Sequence, residues 1–267
     1  MNVDVISSSN PAVAGSSAKG WLRALELTKS IAGHPGRTLP VIIDELAERY
    51  GEAPALLSDR ECFSFRSLSQ RANRYARWAQ RQGLGKGDVV CLLMPNRPEY
   101  MAVWLGITRI GAAVALINTN LVGASLAHCI DIAEPRHIIV AEDLLEQFSG
   151  ARGHIAADAE VWQHGSAGST FPDIERDLDG LSGAPLSVAK CASPTIADRA
   201  LLIYTSGTTG LPKAARVNHY RLLIWSLWFA GMMDTCASDR MYNCLPMYHS
   251  VGGVVATGAV LVNGGGS

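Results

Sequence analysis

From Leu39 onward, apolar positions recur with two alternating periods. Val41, Ile42, Leu46 and Tyr50 suit one helical face, and Gly51 ends the run. Apolar segments at 55–57 and 62–65 flank Ser58, Asp59 and Arg60, the pattern of a hairpin. Ser67 with Gln70 reads as a capping pair, since each side chain can satisfy a free backbone donor at a helix start. Leu68, Ala72, Tyr75 and Ala79 then share a face, and Gly83 closes it. Residues 89–94 are an unbroken apolar run, as expected for a strand covered on both sides. Asn96 reads as the cap of the next helix, with Pro98 in its first turn. Tyr100, Val103, Ile107 and Ile110 follow at helical spacing, up to a stop at Gly111. A strand at 112–117, a helix at 125–133 and a strand at 137–140 complete a β-α-β-α-β series. That order predicts an α/β fold with a parallel sheet and crossover helices.

Between 149 and 198 the periodicity fades into Gly, Ser, Ala, Asp and Pro. This stretch reads as a variable insert or linker with one strand near Val161. Strands are expected again at 200–204 and near 215–217, with a helix near 220–232 and a last strand at 241–245. The helix carries Leu222, Leu223, Trp225, Leu227, Trp228 and Phe229; core is its default, and one side suits an acyl chain or lipid. Residues 1–38 are expected to form a flexible tail, and its Ser/Ala/Gly-rich start lacks the form of a secretory signal.

Composition narrows the picture further. Of the 267 residues, 48% are apolar and 18% charged, so the chain can bury a sizeable core. The formal net charge is −1 and no basic run stands out, which argues against nucleic acid as a main partner. Cys62, Cys91, Cys129, Cys191, Cys236 and Cys244 include no C-x-x-C pair. Buried, reduced thiols in a cytoplasmic protein are expected, not a disulfide framework or a zinc site. No apolar stretch reaches the ~18 residues of a membrane span, and peripheral membrane contact stays open.

The segment richest in chemistry is Tyr204-Thr205-Ser206-Gly207-Thr208-Thr209-Gly210-Leu211-Pro212-Lys213, directly after an apolar strand. Glycines let backbone N–H groups turn toward an anion, hydroxyls add donors, and the lysine adds a point charge suited to phosphate. The combination is a cradle for a polyphosphate. It is not a Walker A loop, because Gly207 and Gly210 are too close and Lys213 follows Pro212. It is not a hydrolase nucleophile elbow either, because Tyr204 stands where Gly-x-Ser-x-Gly needs its first glycine. A hydrolase using Ser206 and His249 would also lack a nameable third triad member.

This run resembles, nearly residue for residue, the phosphate-binding loop of the AMP-forming superfamily of acyl/aryl-CoA synthetases, luciferases and peptide-synthetase adenylation domains. Leu245-Pro246-Met247-Tyr248-His249-Ser250 resembles the next block of that superfamily. Met94-Pro95-Asn96 through Trp104, with Gly111, Ala112 and Asn118, resembles its N-terminal subdomain. Ala214-Ala215 after the loop lysine, together with Tyr242 through Ser250, looks like the very-long-chain acyl-CoA synthetase and fatty-acid transport protein branch. A bile-acid or carnitine-type CoA ligase is the neighbouring alternative.

The resemblance implies ATP-dependent activation of a fatty acid through an acyl-adenylate to acyl-CoA, with Mg2+ and coenzyme A. It assigns Thr205, Ser206, Gly207, Thr208, Thr209 and Gly210 to the β/γ-phosphates, Thr205 also to the metal, and Lys213 to the departing pyrophosphate. It sets His249 beside the acyl carboxylate, with Tyr248 either there or in the core. Ser250 reads as a cap of the following helix, and Asp88, Asp131 and Asp239 as caps or turns. His34, His128, His137, His154 and His164 receive no chemistry. Residues 39–267 are thus expected to form an incomplete, N-terminal part of the synthetase large domain, without the family's small C-terminal domain and unable to turn over alone. A non-catalytic nucleotide- or lipid-binding module is the competing reading from another class. A homodimer is left open.

Overall fold

The structure is a computed structural model and describes residues 17–165, 168, 171–186, 193–205 and 210–267. The chain runs through α1 (Ser17–Thr28), α2 (Leu39–Tyr50), β1 (Pro54–Leu57), β2 (Cys62–Ser64), α3 (Phe65–Arg81), β3 (Val89–Leu93), α4 (Pro98–Arg109) and β4 (Ala113–Leu116). It continues through α5 (Gly123–Asp131), β5 (His137–Ala141), α6 (Leu145–Ala151), β6 (Glu160–His164), α7 (Ile174–Leu178), β7 (Arg199–Thr205), β8 (Lys213–Asn218), α8 (His219–Met233) and α9 (Thr257–Leu261). The hairpin β1–β2 stands apart from a six-stranded sheet of order β6-β5-β3-β4-β7-β8. All its neighbours are parallel except β7 and β8, which pair antiparallel at one edge.

Pleating sends successive side chains to opposite faces, so an unbroken apolar strand needs a helical layer on each side. Val90, Leu92, Val114, Leu116 and Ile139 face one core with α2, α3, α4 and α8. Cys91, Leu93, Ala113, Ala115 and Val140 face another with α5 and α6. Helix α4 is buried almost all round. Its Gly106 explains how α3 comes so close: a Cβ there would lie 2.4 Å from Tyr75 Cβ and 2.5 Å from the Ala72 carbonyl.

Several expectations change. Residues 17–38 are not simply tail, because α1 lies against α8. A Cβ on Gly231 would meet Ala24 Cα at 2.5 Å, and the rings of Trp21 and Trp228 meet edge to face at 5.1 Å. Helix α3 starts earlier than the Ser67–Gln70 pair. Its cap is Ser64, whose Oγ accepts from Ser67 N at 3.1 Å, and this brings Phe65 into the core as the first helical residue. The expected insert supplies β6, an edge strand of the main sheet, and α7, which packs against α3. Residues 241–245 form no strand, because the Asn243 side chain takes up the Leu245 N–H at 3.1 Å and competes with a ladder. Asp88, Asp131 and Asp239 do receive turn N–H groups, from Gly85, from Ala156 and Ala157, and from Cys236. No helix among the described residues is long and apolar enough to cross a membrane.

His219 opens α8 fully buried. Burial pushes its pKa down to about 4, and the charge of Asp198 opposes this without reversing it. The unfolded chain therefore binds a proton at this histidine, ordinarily near ~6.5, at pH values where the folded chain does not. Stability from His219 is present above that value and is lost as pH falls toward the folded pKa. The loss attributable to His219 between about pH 7.5 and about pH 5 should be roughly 2 kcal/mol. His219→Phe should shrink the acid-induced loss by that amount in urea unfolding at the two pH values.

Candidate functional site: the crevice beyond the strand ends

Parallel pairing puts the carboxyl ends of β3, β4 and β7 at one edge of the sheet, where ligand crevices of open α/β sheets lie. The first wall of this crevice is the β7–β8 hairpin. Its antiparallel register sets Thr205 opposite Lys213, so the two ends of the hydroxyl-rich loop meet at the base. Ser206, Gly207, Thr208 and Thr209 lie outside the described residues. Gly210 has φ of +112°, a conformation that L side chains rarely adopt, so glycine serves the turn here.

Both legs of the hairpin are tied to α5. The Tyr204 hydroxyl donates to the Cys129 carbonyl at 2.5 Å. Nε2 of His128 lies 3.0 Å from the Pro212 carbonyl. A carbonyl only accepts, so Nε2 carries the proton. Thr205 and Lys213 are exposed, and the Lys213 side chain makes no hydrogen bond or ion pair among the described residues. A cation with no carboxylate beside it is available for an incoming anion.

The second wall is the segment 245–250. His249, not Ser250, occupies the cap position of the π-helical turn Ser250–Ala256, and its Nδ1 accepts from Val251 N at 3.3 Å. That bond requires an unprotonated Nδ1 and leaves Nε2–H as a donor on an exposed ring. Tyr248 is half-buried, packs against the larger core, and receives a hydrogen bond on its hydroxyl from Asn120 Nδ2 at 3.3 Å. Asn243 laces the segment to the turn through the Gly252 carbonyl at 3.0 Å and Thr257 Oγ1 at 3.1 Å.

Asn96 does not cap α4. Arg97 takes that position, and Asn96 instead bonds the backbone of Leu245 and Met247. The segment 245–250 is thus held to the ends of β3 and β4, next to the strand that carries the loop. No hydrogen bond among the described residues joins Tyr248 or His249 directly to Thr205 or Lys213. A cleft of about 570 Å³ is lined by Leu57, Asn96, Tyr242, Asn243 and Met247; its lining includes neither Lys213 nor His249.

Sequence reasoning passed over a second polar centre. Glu99, in the first turn of α4, is 4% exposed and accepts from Arg71 Nε at 2.6 Å and from the Tyr75 hydroxyl. His164 Nε2 lies 3.5 Å from the same oxygen. Burial alone would raise the Glu99 pKa, but His164, Arg71 and Tyr75 together hold it below the ordinary carboxylate range. This cluster ties α3, α4 and the end of β6 together.

Residues 43–267 match the family described as "AMP-binding enzyme". The chain belongs to that family. It is 34% identical over 236 residues to long-chain fatty acid transport protein 1 of Homo sapiens, covering 86% of this chain and 36% of the relative. It is 32% identical over 232 residues to the medium/long-chain-fatty-acid--CoA ligase FadD6 of Mycobacterium tuberculosis, covering 85% and 37%. The chain therefore spans little more than a third of the length of these curated relatives. The fold matches that of an anthranilate CoA ligase, AuaEII, in complex with anthranoyl-AMP, with a TM-score of 0.79 at 22% identity over 86% of this chain and 44% of that one. A long-chain-fatty-acid-CoA ligase (FadD1) from Archaeoglobus fulgidus gives 0.75 at 24% identity, over 86% and 46%. The α/β architecture read from the sequence is the N-terminal architecture of this AMP-binding fold, with an antiparallel strand added at one edge.

The tyrosine that opens the loop motif supports the hairpin from below. Tyr204→Phe deprives the Cys129 carbonyl of its donor and should cost about 1–2 kcal/mol. Urea unfolding measures it, and an unchanged midpoint would contradict the anchoring role.

Proposed function

We propose that this AMP-binding chain serves ATP-dependent activation of a long- or very-long-chain fatty acid to its CoA thioester. The observation that carries the reading is Lys213, held opposite Thr205 at the carboxyl end of β7 with its side chain unpaired among the described residues. The similarity to long-chain fatty acid transport protein 1 and to the ligase FadD6 supports the choice of acid.

In this reading a carboxylate oxygen of the acid attacks the α-phosphorus of ATP. The bond from that phosphorus to the bridging oxygen breaks, and pyrophosphate leaves. The CoA sulfur then attacks the acyl carbonyl, the thiol gives up its proton, and AMP leaves. Two anions must meet in the first step, so the site has to offset phosphate charge in advance. Thr205, Ser206, Gly207, Thr208, Thr209 and Gly210 donate to the β/γ-phosphates, and Lys213 offsets the charge that builds on pyrophosphate. In the same reading the exposed Nε2–H of His249 donates to the carboxylate of the acid, and Tyr248 lines the same substrate region.

Among the described residues no group of His, Cys, Asp and Glu could hold a metal ion. A lone hydroxyl, Thr205, suits Mg2+ held chiefly by phosphate oxygens and water, and such an ion would further neutralise the phosphates. A cytoplasmic setting, with peripheral membrane contact or a homodimer, belongs to the same proposal. The surface suited to such contact is α1, which exposes Trp21, Leu22 and Leu25.

Lys213→Ala should weaken binding of Mg-ATP by roughly 10- to 100-fold, the worth of a charge-assisted contact. The fold should persist, because the lysine is exposed and unpaired. Calorimetric titration reads the affinity, and an unchanged value for a folded variant would refute the assignment.

A further inference from the structure

Asn96 makes the longest-range side-chain link in the crevice. Its Nδ2 donates to the Leu245 carbonyl at 2.8 Å, and its Oδ1 accepts from Met247 N at 2.8 Å. The two backbone groups bracket Pro246, which has no N–H to offer. A primary carboxamide presents a donor and an acceptor in one plane, which neither a carboxylate nor an ammonium group does. Asn96 itself is exposed, and its turn is anchored on either side by Met94, two residues before it, and Pro98, two residues after it, both buried. Met247, whose amide it grips, is 6% exposed.

What Asn96 grips is a closed unit. His249 N donates to the Pro246 carbonyl at 3.1 Å, and Gly253 N to the His249 carbonyl at 2.9 Å. The turn folds back so tightly that a Cβ on Gly252 would lie 2.4 Å from the Pro246 carbonyl oxygen, and one on Gly253 2.3 Å from that of Met247. Side chains larger than hydrogen are excluded there, so the backbone from Leu245 to Gly253 is folded against itself. Its attachment to the end of β3 fixes where the His249 ring stands relative to the sheet.

We propose that Asn96 is a positioning residue for this site: its carboxamide fixes the 245–253 unit against the sheet and thereby sets the pose and tautomer of His249. The assignment of His249 to the substrate rests on the function proposed above; the hold of Asn96 does not. The charge state of the amide matters as well. A neutral anchor adds no charge beside a site that must admit anions. Asp at this position would keep an acceptor for Met247 N and turn a second oxygen toward the Leu245 carbonyl, losing one bond and adding repulsion.

The test uses the full 267-residue chain with 15N-labelled histidine, compared as wild type, Asn96→Ala and Asn96→Asp. In the wild type the His249 ring should be chiefly the Nε2–H tautomer, with Nδ1 shifted as an acceptor. Asn96→Ala should move those signals toward a free-imidazole mixture, and Asn96→Asp should move them less. The affinity for a hydrolysis-resistant fatty acyl-adenylate analogue should fall by about tenfold or more in Asn96→Ala. His249 signals unchanged in Asn96→Ala would overturn the proposal. Should that variant not fold, hydrogen exchange of the wild-type Met247 amide decides. Exchange slowed roughly tenfold or more relative to a free amide supports the grip, and free exchange overturns it. A wild type that keeps the tautomer and its dependence on Asn96 but binds no analogue would refute the substrate role of His249 and leave the grip standing.

Discussion

Everything at the crevice depends on the parallel pairing of β3, β4 and β7. Parallel strands need long crossovers, so their carboxyl ends emerge on one edge with a connecting segment at each end. Here those segments are the Asn96 turn, the loop through Asn118 and Asn120, and the Thr205 hairpin. Both sheet faces are sealed by helices, and the edge where the strands end is where backbone and polar side chains become available. The grouping of the Asn96 turn, the Asn120 loop and the Thr205 hairpin is a consequence of that arrangement, because the three segments are far apart in sequence and meet only where their strands end.

The polar groups at the edge divide by charge. Amide, hydroxyl and imidazole groups do the structural holding: Asn96, Asn120 and Asn243 on the second wall, Tyr204 and His128 under the first. Among the described residues the Lys213 side chain has no structural partner. The compact charge network of this molecule, Glu99 with Arg71, Tyr75 and His164, lies at the β6 end of the sheet, where it braces α3 and α4.

Local pattern revealed the parts whose cause is local. An apolar run with no polar interruption identified β3, and its two-sided burial follows from the same fact. Helix α8 was placed within one residue at each end. The β6 strand was visible only as a weak signal near Val161, since an edge strand exposes part of its length. Helix α1 was missed because its contact with α8 runs through Gly20 and Ala24 while Trp21, Leu22 and Leu25 stay exposed, so no apolar stripe marks the buried side. Asn96 looked like a cap because caps are what asparagines before helices usually are; its partners lie about 150 residues away, and no window of sequence contains both. His128 was likewise unreadable, because its role is set by where Pro212 falls after folding.

The central claim is that the hairpin from Thr205 to Lys213 and the segment carrying His249 face one ligand. The most direct measurement is a crystal structure of the protein with a hydrolysis-resistant long-chain acyl-adenylate. The adenylate phosphate should lie against the loop that Thr205 and Lys213 close, and the acyl carbonyl within hydrogen-bonding reach of His249 Nε2. An analogue ordered elsewhere, for example in the cleft lined by Leu57 and Tyr242, would contradict it.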